Sequence, residues 1–122
     1  MGCASSSEAI TAAEEARLGP PSKTQDASEH AQQLVMLVKP TIEVHLETMH
    51  LDHLKATQMI TRACISGDDG GTMFYVKCRT NLDDNWPWIF VKLYEPPVVT
   101  DVSPVQFKEM KKMDQEYKLV TF

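Results

Sequence analysis

The chain has 122 residues, of which 43% are hydrophobic and 24% are charged, and its formal net charge is −5. This length fits a single globular domain, and the acidic balance argues against a nucleic-acid-binding protein, which normally displays clustered lysine and arginine. No run of about eighteen consecutive apolar residues occurs, so we expect no membrane-spanning helix.

The first eighteen residues differ in composition from the rest of the chain. We predict a mobile N-terminal extension over 1–18, because such a stretch buries too little apolar surface to offset its ordering entropy. The start M-G-C-A-S-S-S matches the N-myristoylation pattern at Gly2, and Cys3 beside it suits palmitoylation. Two acyl chains anchor a protein stably. Because the pattern is short, two interpretations stay open: an ordinary unmodified terminus, or lipidation at Gly2 and Cys3 with membrane association.

A helix is predicted next, over roughly 27–48. Asp26 and Glu29 have the spacing of a capping box, and apolar residues then recur at steps of three and four as far as Met49. Pro40 lies inside this stretch, where proline costs about 3 kcal/mol, so we expect a kink in one long helix.

Strands are predicted over 54–65, 72–80 and 88–94, with weaker ones near 104–109 and 115–121. In the second of them, Phe74, Val76 and Cys78 are expected to face the core, and in the third Ile89, Val91 and Leu93 are expected to share one face. The predicted fold class is therefore α+β, with an antiparallel sheet of four to five strands wrapped around one long helix.

The stretch S-G-D-D-G-G (66–71) joins the first two strands and is predicted to form a hairpin turn. A phosphate-binding loop would lead into a helix, whereas here a strand follows. A calcium loop needs oxygen ligands at alternate positions and a later bidentate glutamate, and both are missing.

The sequence gives little support for a catalytic or metal-binding site. The three histidines and two carboxylates within 45–53 could suit zinc, but we interpret them as a solvated helix end. Cys64 and Cys78 are candidate nucleophiles, yet nothing in the sequence lowers the pKa of either thiol. We predict no enzyme, metal site or cofactor. The odd number of three cysteines favours reduced thiols and a cytoplasmic location, and a Cys64–Cys78 bridge is the alternative.

Five stretches in chain order resemble the stefins, the type-1 cystatins, which are small cytosolic inhibitors of papain-like cysteine proteases. The stretches are L-G-P-P-S-K-T-Q (18–25), V-K-P-T-I-E (38–43), L-K-A-T-Q-M-I-T (54–61), G-T-M-F-Y-V-K (71–77) and D-Q-E-Y-K-L-V-T-F (114–122). The resemblance implies a cystatin-like domain over 19–122. It also implies that an N-terminal trunk and two hairpins form a wedge that fills the cleft of a cathepsin-type protease.

In that wedge, Leu18 before Gly19 would occupy a specificity pocket and the first hairpin tip would lie over the catalytic cysteine. The protease-binding residues that the resemblance implies are Leu18, Gly19, Arg62, Ala63, Cys64, Ile65, Ser66, Gly67, Pro96 and Pro97.

Two hairpins depart from the family pattern. The stretch R-A-C-I-S-G (62–67) stands where stefins carry Gln-x-Val-x-Gly, an added D-D-G-G (68–71) lengthens the tip, and E-P-P (95–97) replaces Leu-Pro. Two hypotheses follow: a reversible, tight-binding inhibitor, or a stefin-fold interaction module without inhibitory activity that is tethered to a membrane by acylation. A monomer is expected, with a domain-swapped dimer as the alternative.

Overall fold

The computed structural model describes residues 18–47, 51–63, 71–81, 87–96, 105–113 and 115–122. The predicted extension over 1–18 lies outside the described residues except for Leu18, so its mobility stays a prediction. In chain order the elements are strand β1 (Gln25–Asp26), helices α1 (Glu29–Leu37) and α2 (Lys39–His45), and strands β2 (Leu54–Ala63), β3 (Thr72–Thr80), β4 (Trp88–Glu95) and β5 (Gln106–Met113).

The five strands form one antiparallel sheet in the order β1-β2-β3-β4-β5, so each strand pairs with its neighbours in the sequence. Strands β2 and β3 pair from Leu54 opposite Thr80 to Ala63 opposite Thr72, which confirms that the first two predicted strands are antiparallel partners. The turn predicted over 66–71 lies outside the described residues except for Gly71. Strand β5 occupies 106–113 where the sequence predicted 104–109. The fold class is α+β, as predicted, because helices and an antiparallel sheet occupy separate parts of the chain.

The prediction of one long helix is wrong, because two short helices take its place. Helix α1 ends at Val38, whose φ of −100° and ψ of 8° leave the helical region. Pro40 lies in the first turn of α2. Proline has no N–H to donate and fixes φ, so it is costly inside a helix but suits the start of one. The apolar spacing continues across the break because both helices bury their apolar residues in the same cluster.

Helix α1 is capped by Ser28, not by Asp26 as the sequence predicted. The Oγ of Ser28 accepts the N–H of Ala31 at 3.1 Å. Asp26 instead belongs to β1, where it lies opposite Gln58 of β2. The pairing of β1 with β2 decides where the extended segment before α1 ends, and hence which residue caps the helix. Local residue spacing does not reveal this pairing, so the sequence predicted the wrong cap.

Both helices cover one face of the sheet, and the buried side chains between them form the helix-side cluster. The residues that β3 and β4 were predicted to turn inward are all in it, which confirms their orientation. Full burial of such a side chain contributes about 1.5–3 kcal/mol. The strand and helix members of the cluster include Phe74, Val76, Cys78, Ile89, Val91, Leu93, Ala31, Leu34, Val35, Val38 and Ile42.

The opposite face of the sheet carries a second, smaller set of buried residues, the tail-side cluster. Its members are Leu18, Ile60, Met73, Tyr75, Phe90 and Leu119. The strand predicted over 115–121 is wrong, because the described residues 115–122, here called the tail, contain no strand. The tail instead lies against this face, where it buries Leu119 to 1% exposure and packs the Phe122 ring 5.7 Å from that of Tyr75. Both faces of the central strands are therefore covered.

Candidate functional site

Three segments that are far apart in sequence meet at one edge of the sheet. Ala63 at the end of β2 pairs with Thr72, and Thr72 pairs with Glu95 at the end of β4. The N–H of Gly19 donates to the carbonyl of Ala63 at 2.7 Å. The trunk (residues 18–22), the base of the first hairpin at Ala63 and Thr72, and the end of β4 thus lie side by side at this end of the strands, which is here called the hairpin edge. Pro96 follows Glu95 directly there.

The trunk is fixed along β2 by contacts on both sides of its backbone. The carbonyl of Gly19 accepts the Nε–H of Arg62 at 2.7 Å, while the N–H of Ser22 donates to the carbonyl of Thr61 at 2.8 Å. The Ser22 Oγ in turn accepts the N–H of Thr61 at 3.0 Å. An antiparallel edge strand offers unpaired N–H and C=O groups, and the trunk satisfies those of β2 at this end.

Leu18 is the residue that the stefin resemblance assigns to a protease pocket. Its side chain belongs to the tail-side cluster with Ile60 of β2 and Leu119 of the tail, and its exposure is 9%. A side chain this buried offers little apolar surface to another protein, because burial on binding requires prior exposure to water. Leu18 therefore lies at the hairpin edge but is packed inward.

The base of the first hairpin is shaped by contact between Gly71 and Tyr94. Gly71 has a φ of 85°, and a Cβ placed on it would lie 2.7 Å from the Cζ of Tyr94, in addition to a closer clash with the phenolic oxygen. Only glycine accepts both the positive φ and the close ring. Tyr94 of β4 thus packs where the chain enters β3 from the first hairpin, and this contact links the bases of the two hairpins.

A second link joins helix α1 to the end of β4. His30 Nε2 lies 2.8 Å from Oε2 and 2.9 Å from Oε1 of Glu95, and the His30 ring packs edge-on against Phe74 at 6.0 Å. Glu95 immediately precedes Pro96, so the contact holds the start of the second hairpin against the helix. Sequence reasoning missed His30 and Tyr94, because the contact of His30 depends on where α1 packs on the sheet and that of Tyr94 depends on the register of β4 against β3.

The remaining predicted site residues are distributed as follows. Arg62 and Ala63 lie at the end of β2, half-buried and exposed respectively, and Gly19 is buried beside them. Predictions for seven others fall outside the described residues: Cys64, Ile65, Ser66, Gly67 and Pro97 of the hairpins, and Gly2 and Cys3 of the lipidation pattern.

Catalytic and metal chemistry can be assessed for the described part of the chain. Cys78 is fully buried in the helix-side cluster, and this burial raises the pKa of its thiol far above the ordinary value, so the thiol stays protonated. Among the residues that the structure describes, no group of three histidine, cysteine or acidic side chains is placed to hold a metal ion. His45 stacks against Phe107 at 4.7 Å between ring centroids, and the N–H of His53 donates to Asn81.

Comparison with known proteins does not assign this chain to a family. No family model matches the chain, and no curated protein matches it. The stefin resemblance therefore depends on the five sequence stretches alone. Within the described ranges, none of the helices is long and apolar enough to cross a membrane.

Proposed function

We propose that this protein has a cystatin-like fold and is a reversible, tight-binding inhibitor of papain-like, cathepsin-type cysteine proteases. In this proposal the hairpin edge enters the active-site cleft as a wedge and blocks access to it. The observation that carries the proposal is the meeting of Gly19, Ala63 and Glu95 along one edge of the sheet. These positions bring together the three segments that the stefin resemblance assigns to the wedge.

The physical basis of the proposed inhibition is shape complementarity, with no covalent reaction between inhibitor and protease. A narrow edge built from backbone and small side chains fits into a cleft, and burial of its surface provides the affinity. Contacts such as Gly71 with Tyr94 and His30 with Glu95 hold the bases of the two hairpins in place before binding, which lowers the entropy lost on association. The protein needs no reactive group, metal or cofactor for this action.

The acidic insertion in the first hairpin determines how tightly the wedge could bind. Asp68 and Asp69 lie in the stretch that would approach the cleft floor. Burying an ionised carboxylate without a partner costs several kcal/mol, on the order of a thousandfold in affinity. A preferred protease is therefore expected to offer a basic group opposite these carboxylates.

An inhibition titration of the wild type against a panel of papain-like proteases tests the proposal. Two variants accompany it: a deletion of 68–70, and the double substitution Asp68→Asn with Asp69→Asn as the length-matched control. Tighter inhibition by both variants identifies charge as the obstacle, whereas improvement by the deletion alone identifies loop length. Absence of inhibition by all three proteins at about micromolar concentration on every protease would refute the proposed function.

A second candidate function is a stefin-fold interaction module without inhibitory activity, tethered to a membrane by acylation at Gly2 and Cys3. It is favoured by the 9% exposure of Leu18, which packs against the protein's own sheet. Membrane fractionation of the full chain beside a Gly2→Ala variant tests the tether. Equal soluble fractions of the two proteins would exclude it.

A further inference from the structure

The two described ends of the chain meet on the same face of the sheet. Leu18 begins the described N-terminal part, and Leu119 belongs to the C-terminal tail; they lie in one cluster of six buried residues with exposures of 9% and 1%. The tail is held there at two further points. Glu116 Oε2 lies 2.8 Å from Lys77 Nζ, and the Phe122 ring packs against the rings of Tyr75 and Phe90.

The position of Leu18 follows from the trunk's backbone contacts. Both backbone polar groups of Gly19 are used, the N–H toward Ala63 and the carbonyl toward Arg62, each at 2.7 Å. Successive side chains of an extended segment alternate between the two faces of a sheet. With Gly19 fixed along β2, the side chain of Leu18 is directed into the tail-side cluster and is kept from solvent.

From this arrangement we infer that the tail-side cluster holds Leu18 in the free protein, and that Leu18 enters a protease pocket only after it leaves that cluster. This holding of Leu18 in the cluster is here called its storage. The C-terminal tail, remote from the hairpin edge in sequence, thereby regulates the affinity of the N-terminal trunk. This inference rests on the proposed function for its consequence in binding, while the storage of Leu18 is a property of the free protein.

The expected direction of the effect comes from a population argument. When only a fraction of the molecules has the binding-competent conformation, the apparent affinity is reduced by that fraction. Weakening the cluster raises the fraction with Leu18 released and therefore tightens protease binding. The opposite model, in which Leu18 stays packed while the edge binds as a rigid unit, predicts that a weaker cluster loosens the edge and weakens inhibition.

Leu119→Ala in the full chain separates the two models, with Val120→Ala as the matched control because Val120 is a neighbouring aliphatic residue that is 50% exposed. Residue-resolved amide hydrogen exchange of the free protein is the first measurement. In Leu119→Ala we expect the Gly19 amide to exchange about fivefold faster than in the wild type, as for other coupled contacts. The Val120→Ala protein should show wild-type exchange of the Gly19 amide.

A second variant keeps the test valid if Leu119→Ala does not fold. Arg62→Met retains the apolar stem but removes the donor to the Gly19 carbonyl, so it should also accelerate exchange of the Gly19 amide. Equal Gly19 exchange in the wild type and in the folded variants, or an unprotected Gly19 amide in the wild type, overturns the storage of Leu18.

Inhibition of a papain-like protease is the second measurement. Leu119→Ala should lower the dissociation constant about fivefold, and unchanged or weaker inhibition overturns the regulatory role of the tail. If the wild type inhibits none of the proteases, the proposed function fails. In that case the exchange data still decide whether the cluster stores Leu18, so the two failures are distinguishable.

Discussion

The two faces of the sheet are covered by different kinds of segment and held by different kinds of interaction. The helix-side cluster is formed by apolar side chains from helices and strands, and neither of the two charged residues that are buried in the described part of the chain belongs to it. The face with the tail-side cluster also buries two lysines, Lys77 at 3% and Lys92 at 2% exposure, each paired with an acid. It is closed by the trunk and the tail rather than by a helix.

This difference indicates which parts of the molecule open only on global unfolding and which parts open at lower free energy. Apolar burial between regular elements is not screened by salt as ion pairs are, and it involves many contacts per residue, so it holds the sheet and helices together. Segments without regular structure, held by a few side chains, open at lower free energy than the core of a domain. The helix side therefore sets global stability, and the tail side is the place where a conformational equilibrium is expected.

The largest expected effect is on the helix side. Ile89→Ala removes most of a side chain that is fully buried in β4, and it should lower the free energy of unfolding by about 2–5 kcal/mol because a cavity remains. Urea denaturation measures the change. Val44→Ala is the control, since Val44 is 73% exposed on α2, and its effect should stay within about 0.5 kcal/mol. Equal effects of the two substitutions would contradict the assignment of this cluster as the main core.

The next effect tests closure of the tail side. Phe122→Ala removes ring contacts with Tyr75 and Phe90 and cation–π contacts with Lys92 and Lys111 at 5.1 and 5.0 Å. We expect the free energy of unfolding to fall by about 1–2 kcal/mol, less than for Ile89→Ala. Hydrogen exchange should also become faster in the tail-side strand positions. A loss as large as that of Ile89→Ala would show that the two faces are energetically equivalent.

The comparison of the two faces can be tested further at the buried ion pair of Lys92 with Glu109, by replacing either the acid or the lysine. Lys92 Nζ lies 3.5 Å from Glu109, whose side chain is 34% exposed. Glu109→Gln leaves a desolvated cation poorly paired and should cost about 1–2 kcal/mol, reduced by the partial exposure of the glutamate. Lys92→Met replaces the charge by an apolar chain of similar length and should be nearly neutral. Chemical denaturation of both variants is the measurement, and an equal loss in both would argue that the pair itself stabilises the fold.

The smallest effect concerns pH and belongs to the helix side. Burial raises the pKa of the Cys78 thiol in the folded protein, whereas an unfolded cysteine has a pKa of about 8.5. Above that pH the unfolded chain releases the thiol proton and the folded chain retains it. Stability is therefore complete below about pH 8.5 and falls by up to about 1.4 kcal/mol per pH unit as the pH rises further.

Urea denaturation between about pH 8 and 10 measures this slope. In Cys78→Ala the contribution of the thiol disappears, so the free energy of unfolding should decline less steeply with pH than in the wild type. The other titrating groups are shared by both proteins and cancel in the comparison. Identical slopes would contradict a thiol that is fully desolvated in the folded state.

The candidate site shows which of its residues could be predicted from the sequence and which could not. Gly19, Arg62 and Ala63 were selected through the stefin resemblance, and they lie together at the hairpin edge. The inward position of Leu18 was not foreseen, because the cluster in which it is buried also includes Leu119, about a hundred residues away. The link between Gly71 and Tyr94 was missed for a similar reason, since it requires the register of β4 against β3. Which partner the edge meets stays a proposal.

What the sequence determined by itself was the class of fold, the first hairpin and the inward faces of β3 and β4, because alternation and turn composition act over a few residues. Tertiary structure decided the rest. Pro40 could kink a long helix or start a new one, and packing onto the sheet gave two helices. Tyr75 and Lys77 occupy positions that alternation assigns to the outer face, yet the tail buries them both. Burial on that face depends on where a distant segment comes to lie, and no local pattern encodes it.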